Sequence, residues 1–320
     1  RFDDQTLNDP GGLVVTFERR LQSAILERRP ELVSRCFTLR EIIRHIDAVA
    51  PDLILVAGDL GQGGGYQPGW DEFFRHFAGE HSDIASRVPL ITSLGNWETF
   101  AALNDGYGTA ADRSPVVRSR NKYHAYFERT GAGTDRENPR FRGSYYRTDH
   151  GPLTILTLDS TNGVPDESVG AGLLSGAPFS GDDRNFTAAT MPTDTQGSFT
   201  QAEYEAAFPT VFPGSTPADA DLPVLNPGHE QWAWTERQLA DARAAGRIVI
   251  VEFHHAAYSV GVHGPPPNHE FPDDQSGVAM RVYTPLFEKY GVAVVISGHD
   301  EMFQRSWVDE DGDGVGFHAY

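Results

Sequence analysis

The sequence has little cysteine and a deficit of positive charge. Cys36 is its one cysteine, so an intrachain disulfide and a thiolate metal cluster are both excluded. The chain has 26 lysine and arginine residues against 45 aspartate and glutamate residues, which gives a formal net charge of −19. Nucleic acids and anionic membrane surfaces bind basic proteins, so neither is an expected partner. A small anionic ligand is not excluded, because a bound dication can reverse the local charge.

Long apolar runs are also missing. No run approaches the roughly 18 apolar residues of a membrane-spanning helix, so no membrane insertion is predicted. The first residues include no signal-type apolar segment, which is compatible both with a processed secreted protein and with a fragment. With 320 residues the chain can bury a large core. The composition gives no prediction of oligomeric state.

An amphipathic helix followed by a short apolar strand is the repeating unit of the sequence. It occurs four times, in LREIIRHIDAVAPDLILVAGD, WDEFFRHFAGEHSDIASRVPLITSLGN, HEQWAWTERQLADARAAGRIVIVEFHH and TPLFEKYGVAVVISGHD. Such alternation is typical of an α/β fold with buried strands. GSYYRTDHGPLTILTLDS predicts a hairpin, and residues 13–38 predict a helix. Residues 161–227, rich in Gly, Pro, Ser and Thr, predict an insertion over the sheet edge with one helix at TQAEYEAAF.

Residues able to bind a metal follow each of the four apolar runs. Because strand carboxyl ends converge on one crevice in an open α/β sheet, we expect these side chains to meet. Each one alone also has a simpler interpretation as a turn residue, a buried core histidine or an acid at a helix start. Taken together and in this order they predict a metal site, and the side chains are Asp59, Asn96, His254, His255, His299 and Glu301.

Four short motifs give a family resemblance. They are Gly58–Asp59, GNWE at residues 95–98, HHAAYSVGVHG from His254, and Gly298–His299. The sequence resembles the calcineurin-like metallophosphoesterases, and within them the purple acid phosphatase branch, over about residues 39–307 apart from the insertion. The resemblance implies a metallophosphatase-type α/β/β/α sandwich of two mixed sheets flanked by helices. It also implies one domain that spans residues 1–320.

The activity implied by the resemblance is that of a metal-dependent phosphoric ester hydrolase. It would be a phosphomonoesterase or phosphodiesterase that acts on a small phosphorylated substrate with metal-activated water. Two divalent or trivalent ions are expected, from Mn, Fe or Zn with Mg as a further option, and a secreted or periplasmic location is suggested. The implied metal ligands are Asp59, Asn96, His254, His299 and Glu301. His263 is expected to contact the substrate phosphate and act as the proton donor, with His255 as a second substrate-binding residue.

The sequence departs from the family pattern at several positions. Trp97 stands where the family has a proton-donating histidine, Gln62 where purple enzymes have a metal-binding tyrosine, and Glu301 where a second histidine is usual. An oxygen-rich subsite around Glu301 favours harder ions such as manganese or magnesium over zinc. The first aspartate motif is either Asp3 or Asp4, or it lies on a strand upstream of Arg1.

Two other functions are compatible with these departures. One is a catalytically impaired metal-binding protein that keeps the phosphoesterase fold. The other is a calcium-dependent module built on DEDGDG at residues 309–314, although the twelfth position of such a loop is Tyr320 and lacks the bidentate carboxylate. An Asp-Gly hairpin turn explains this acidic segment more simply.

Overall fold

The structure is a computed structural model of the 320-residue chain. It describes residues 14–15, 39–61, 63–101, 106–127, 139–141, 143–162, 198–265, 275–300, 302–309 and 312–320. Within these ranges, no helix combines the length and the apolar character needed to cross a membrane.

Two β-sheets form the centre of the fold. The first sheet has the order β1–β2–β3 and is parallel throughout its described strands, which are Val14–Val15 (β1), Ile54–Val56 (β2) and Leu90–Thr92 (β3). The second has the order β4–β5–β6–β7–β9–β8, with β4 and β8 as antiparallel edge strands. Its strands are Tyr146–His150 (β4), Leu153–Thr157 (β5), Ile248–His255 (β6), Val294–Gly298 (β7), Ser306–Val308 (β8) and Phe317–Ala319 (β9).

Helices precede the strands in all four predicted helix–strand units. The α-helices of the described part are Leu39–Val49 (α1), Gln67–Phe77 (α2), Ser114–Tyr126 (α3), Gln201–Val211 (α4), Glu230–Ala244 (α5) and Thr284–Tyr290 (α6). Helices α1, α2, α5 and α6 lead into β2, β3, β6 and β7. Gly291 adopts the left-handed conformation with φ 69° and ends α6, so that the chain turns directly towards β7.

The two sheets pack face to face. Because successive strand residues point to opposite faces, Leu55 of β2 faces the second sheet while its neighbours on β2 face helices α1 and α2. On the second sheet, Ile250 faces the first sheet and Val251 faces α5 and α6. The layers therefore run helix, sheet, sheet, helix, and the predicted α/β/β/α sandwich is confirmed. The inter-sheet core contains Leu53, Leu55, Ala57, Ile91, Tyr146, Ile155, Ile250 and Ile296.

Both predicted hairpins are present. Strands β4 and β5 are joined at Gly151, and β8 and β9 enclose the acidic DEDGDG segment. The carboxylate of Asp309 accepts the backbone N–H groups of Gly312 and Gly314, and that of Asp313 accepts the N–H of Val315. These acids hold the turn of the hairpin. The helix predicted over 13–38 is wrong at β1, where two β-branched valines pair with β2 instead.

The predicted insertion is described from residue 198 onwards, and its remaining part at 163–197 lies outside the described residues. Its helix α4 matches the predicted TQAEYEAAF helix and packs against α3. A buried charge cluster joins the segment to the sandwich: Arg120 of α3 contacts Asp159 at 2.9 Å and Asp221 at 3.9 Å. His124 lies 3.2 Å from Asp221, which also accepts the hydroxyl of Tyr204.

Candidate metal centre

The loops after β2 and β3 present Asp59 and Asn96. Asp59 has φ 51°, a left-handed conformation that is uncommon outside glycine but accessible to aspartate. Its Oδ1 accepts the backbone N–H of Trp97 at 2.9 Å, which joins the two loops. Asn96 is buried and begins a short 3-10 helix that ends at Glu98. Each side chain is thus fixed at the carboxyl end of a parallel strand.

Glu98 organises the backbone of both loops. Its fully buried carboxylate accepts N–H groups from Gly95 at 2.7 Å, Asp59 at 2.9 Å and Leu60 at 2.9 Å. Burial raises the pKa of Glu98, while these three hydrogen bonds and the nearby His254 act in the opposite direction. The residue therefore supports Asp59 through its own backbone and Asn96 through the backbone of the preceding Gly95.

Ligand atoms of three predicted residues converge on Nε2 of a fourth, His254. It lies 3.0 Å from Oδ1 of Asn96, 3.1 Å from Nδ1 of His299 and 3.3 Å from Oδ2 of Asp59. His254 is the penultimate residue of β6, His299 follows β7, and both imidazoles are buried. The structure therefore brings Asp59, Asn96, His254 and His299 together from four separate strand ends.

Hydrogen bonds outside the cluster fix the other nitrogen of each imidazole. Nδ1 of His254 lies 2.7 Å from the carbonyl oxygen of Ala57, and Nε2 of His299 lies 2.8 Å from that of Gln275. A carbonyl oxygen only accepts, so these two nitrogens donate their protons to it, and in a neutral ring the inward nitrogen has the lone pair. Such backbone partners are typical of metal-binding histidines.

The converging atoms fit a cation. Carboxylate, amide and unprotonated imidazole atoms all offer lone pairs towards the same space. Bonds of about 2.0–2.2 Å place neighbouring ligand atoms of one ion about 3.0–3.5 Å apart. The distances of 3.0, 3.1 and 3.3 Å from Nε2 of His254 match that spacing. A mixed nitrogen and oxygen set suits zinc, manganese or iron.

The electrostatics keep His299 neutral. Burial lowers the pKa of His299 well below its usual range, and the neighbouring His255, His254 and His263 lower it further. A neutral imidazole has the free lone pair that a metal requires. His299 also adopts a left-handed backbone conformation, with φ 70°, at the point where the chain leaves β7.

His263 lies on the partly solvent-exposed side of the cluster, which we call its opening. Its ring is half-buried and stands 4.4 Å from the ring of His299, centre to centre, with a tilt of 35°. The backbone N–H of His263 donates to Oδ1 of Asp300 at 2.8 Å, and the other oxygen of Asp300 accepts the hydroxyl of Ser259. The loop that presents His263 is thus attached to the residue that follows His299.

His255, by contrast, is fully buried. Its ring centre lies 4.6 Å from that of His299 and 5.0 Å from that of His254. Its Nδ1 lies 2.9 Å from the hydroxyl of Ser160, which follows β5. His255 therefore contacts the interior of the cluster and not its opening.

Several predicted residues lie outside the described part of the chain. These are Glu301, Gln62, and Asp3 and Asp4 of the first motif. Trp97 is described: its ring packs edge-on against Phe100 at 5.5 Å, and its backbone holds Asp59.

The supporting residues were not predicted from the sequence. The ring of His255 contacts Ser160, the ring of His299 contacts Gln275, and the backbone of His263 contacts Asp300. Only Asp300 had a local signal, because it directly follows a predicted ligand. The other two lie in remote segments, and their partners follow only from the fold.

Comparison with known proteins identifies the family. The profile of the family described as calcineurin-like phosphoesterase matches residues 33–206, more than half of the chain. The chain belongs to the calcineurin-like phosphoesterase family. That family is metal-dependent.

Two individual proteins resemble this chain. A stretch of 87 residues is 33% identical to tartrate-resistant acid phosphatase type 5 of Oryctolagus cuniculus and covers 27% of this chain. The match spans 22% of that enzyme's length. The crystal structure of a dimetal phosphatase from Danio rerio superimposes with a TM-score of 0.45 at 13% identity. That superposition covers 88% of this chain and 76% of the other.

Proposed function

We propose that this protein hydrolyses a small phosphoric monoester or diester with the metal centre formed by Asp59, Asn96, His254 and His299. The main observation in support of this proposal is the convergence of three ligand atoms on Nε2 of His254, at 3.0 to 3.3 Å. When bound, metal ions polarise phosphoryl oxygens and lower the pKa of water so that it attacks at neutral pH. Glu301 would contribute to a second, oxygen-rich subsite that favours manganese or magnesium over zinc.

The protein's own residues would bind and orient the ester. The half-exposed His263 ring lies next to that of His299, from where it would reach a phosphoryl group or a leaving oxygen. With Trp97 in the place of the family's histidine, His263 is the half-exposed imidazole among the described residues of the cluster. It would steady the phosphoryl group or donate a proton to the leaving oxygen. Asp300 would hold its loop in place.

The test is hydrolysis by the metal-loaded protein. Purified protein supplied with Mn²⁺, Zn²⁺ or Fe²⁺ should hydrolyse nitrophenyl phosphate or bis-nitrophenyl phosphate, which also separates monoester from diester preference. Asp59→Asn should abolish turnover and lower the metal content, because the carboxylate is lost. Asp52→Asn, at an exposed position before β2, is the matched control and should change neither. Activity that survives both Asp59→Asn and a chelator would refute the proposal.

Trp97 supports a second candidate, a metal-binding protein with impaired turnover. An indole cannot act as the proton donor that the family's histidine provides. Elemental analysis combined with the same assay distinguishes the two functions. Bound metal without turnover on either ester would indicate the impaired protein, whereas bound metal with turnover that Asp59→Asn abolishes indicates the enzyme.

A further inference from the structure

A register shift in β6 turns two consecutive histidines towards the same centre. Glu252 pairs with Ile296 of β7, and His255 pairs with Gly298, so three residue steps on β6 face two on β7. In a regular strand, consecutive side chains point to opposite faces. An extra residue in one strand re-aims a side chain, and such bulges are common beside active sites. The ring centres of His254 and His255 accordingly both lie close to the ring centre of His299, at 5.0 and 4.6 Å.

His255 shares one hydrogen-bonding feature with His254 and His299. His254, His255 and His299 each have one ring nitrogen occupied outside the cluster, at 2.7, 2.9 and 2.8 Å respectively. The partner of His255 is the hydroxyl of Ser160, which lies within hydrogen-bond distance of Nδ1. Because that contact engages Nδ1, a bond from His255 to an ion would be made by Nε2. One nitrogen from each of the three rings lies within 4.8 Å of the others.

Burial argues against direct substrate contact by His255. Its side chain is fully buried, as is that of His254, while the ring of His263 is half-exposed at the opening. An imidazole without solvent access, with its outer nitrogen held by a second residue, is suited to bind an ion inside the protein.

We propose that His255 is a further metal ligand of this centre, acting through Nε2 and oriented by Ser160. The inference rests on the proposed function, because it adds a ligand to the same metal centre. Glu301 stands where the family pattern has its second histidine. His255 would supply a third imidazole, from β6 next to His254. Three imidazoles favour borderline ions such as zinc or iron over magnesium.

The first experiment counts the bound imidazoles in the unmodified protein. The protein is labelled with nitrogen-15 in its 12 histidines, and NMR is recorded without metal and after addition of Zn²⁺. We expect three rings to show a zinc-bound nitrogen, with His255 bound through Nε2 and protonated at Nδ1. A spectrum in which His254 and His299 shift while His255 does not would overturn the proposal. A spectrum in which no histidine responds would instead contradict the metal centre itself and the proposed function.

The second experiment measures affinity for Zn²⁺ without substrate. His255→Gln should weaken binding by more than about 100-fold, and Ser160→Ala by about 10–100-fold, as for other outer partners of metal-binding histidines. His76→Gln is the control, because His76 is also buried but contacts Glu72 on α2, away from the site. Equal affinity of His255→Gln and the unmodified protein would overturn the proposal. If His255→Gln does not fold, the imidazole count in the unmodified protein decides.

Discussion

Oδ1 of Asp300 accepts the backbone N–H of His263 at 2.8 Å, across 37 residues of sequence. Asp300 directly follows the proposed ligand His299. One hydrogen bond therefore links the segment of a proposed metal ligand to the backbone of the proposed proton donor. The second oxygen of Asp300 accepts the hydroxyl of Ser259, and the same hydroxyl accepts the N–H of Gly261 at 2.9 Å. The loop from Ser259 to His263 is thereby wrapped around one buried carboxylate.

Removing the hydroxyl of Ser259 should misplace His263 without emptying the metal centre. A hydrogen bond to a charged group contributes about 1.5–3 kcal/mol, so Ser259→Ala should lower kcat/KM for nitrophenyl phosphate about tenfold or more. Metal content, measured by elemental analysis, should stay unchanged. Ser215→Ala is the control, because it removes a hydroxyl bonded to the carbonyl of Phe212 far from the loop. An unchanged kcat/KM in Ser259→Ala would show that His263 does not depend on this anchor.

Gly58 has no room for a side chain beside the metal centre. A Cβ at this position would lie 2.7 Å from Nδ1 of His254 and 2.8 Å from the nitrogen of Gly95. Gly58→Ala should therefore destabilise the protein by more than about 3 kcal/mol, through the clash added to the strain of a positive φ. The free energy of unfolding in urea measures the loss, and Zn²⁺ binding should weaken as well.

Gly246→Ala is the matched control for the backbone conformation. Gly246 also has a positive φ, 66°, but no atom lies within 4 Å of the Cβ that alanine would add. This variant should lose only about 1–2 kcal/mol and keep its affinity for Zn²⁺. Equal losses in the two variants would mean that the contact with His254 has no energetic effect.

Much of the fold and the centre of the site could be predicted from the sequence. The helix–strand units could be predicted because, in each one, apolar residues at helical spacing are followed by an uninterrupted apolar run typical of a buried strand. Asp59, Asn96, His254 and His299 could be predicted because strands of one sheet deliver their carboxyl ends to a common edge. Their convergence on Nε2 of His254 agrees with that expectation.

The remaining features depend on contacts that local patterns do not encode. The bulge after Glu252 is invisible in IVIVEFHH, where a regular strand would point His254 and His255 to opposite faces. Ser160 meets His255 across 95 residues of sequence, and Arg120 meets Asp159 across 39. Pairings of this kind are determined by the packing of the complete sheet. Residues such as Glu301 lie outside the described part, and their role stays a prediction.

Glu98 should matter for stability as well as for metal binding. Its two oxygens accept three backbone N–H groups, and in Glu98→Gln an NH₂ group replaces one of these oxygens. At least one buried N–H then loses its acceptor, which costs about 1–3 kcal/mol. We expect a lower urea midpoint and weaker Zn²⁺ binding, because the loops of Asp59 and Asn96 loosen. Glu41→Gln, exposed on α1, should change neither, and a Glu98→Gln protein as stable as that control would contradict the prediction.

Asp221 should make stability depend on acid pH. Burial alone raises the pKa of Asp221, but the hydrogen bond with His124 and the charge of Arg120 outweigh it and lower the pKa to about 2. An aspartate in the unfolded chain has a pKa of about 3.9. Because the folded pKa is the lower one, the ionised carboxylate stabilises the fold above about pH 4. That stabilisation, about 2 kcal/mol at neutral pH, is lost as the pH falls towards 2.

The measurement is the free energy of unfolding in urea at about pH 5, 4 and 3, for the unmodified protein and for Asp221→Asn. The variant should be less stable at pH 5, since Arg120 keeps its charge in a buried site with one carboxylate fewer. The difference between the two proteins should shrink by about 1 kcal/mol between pH 5 and pH 3, because the unmodified protein loses the contribution of Asp221 over that range. Asp52→Asn, which replaces an exposed aspartate, should follow the unmodified protein at every pH. A difference that stays constant with pH would show that Asp221 is not held in its ionised form by the cluster.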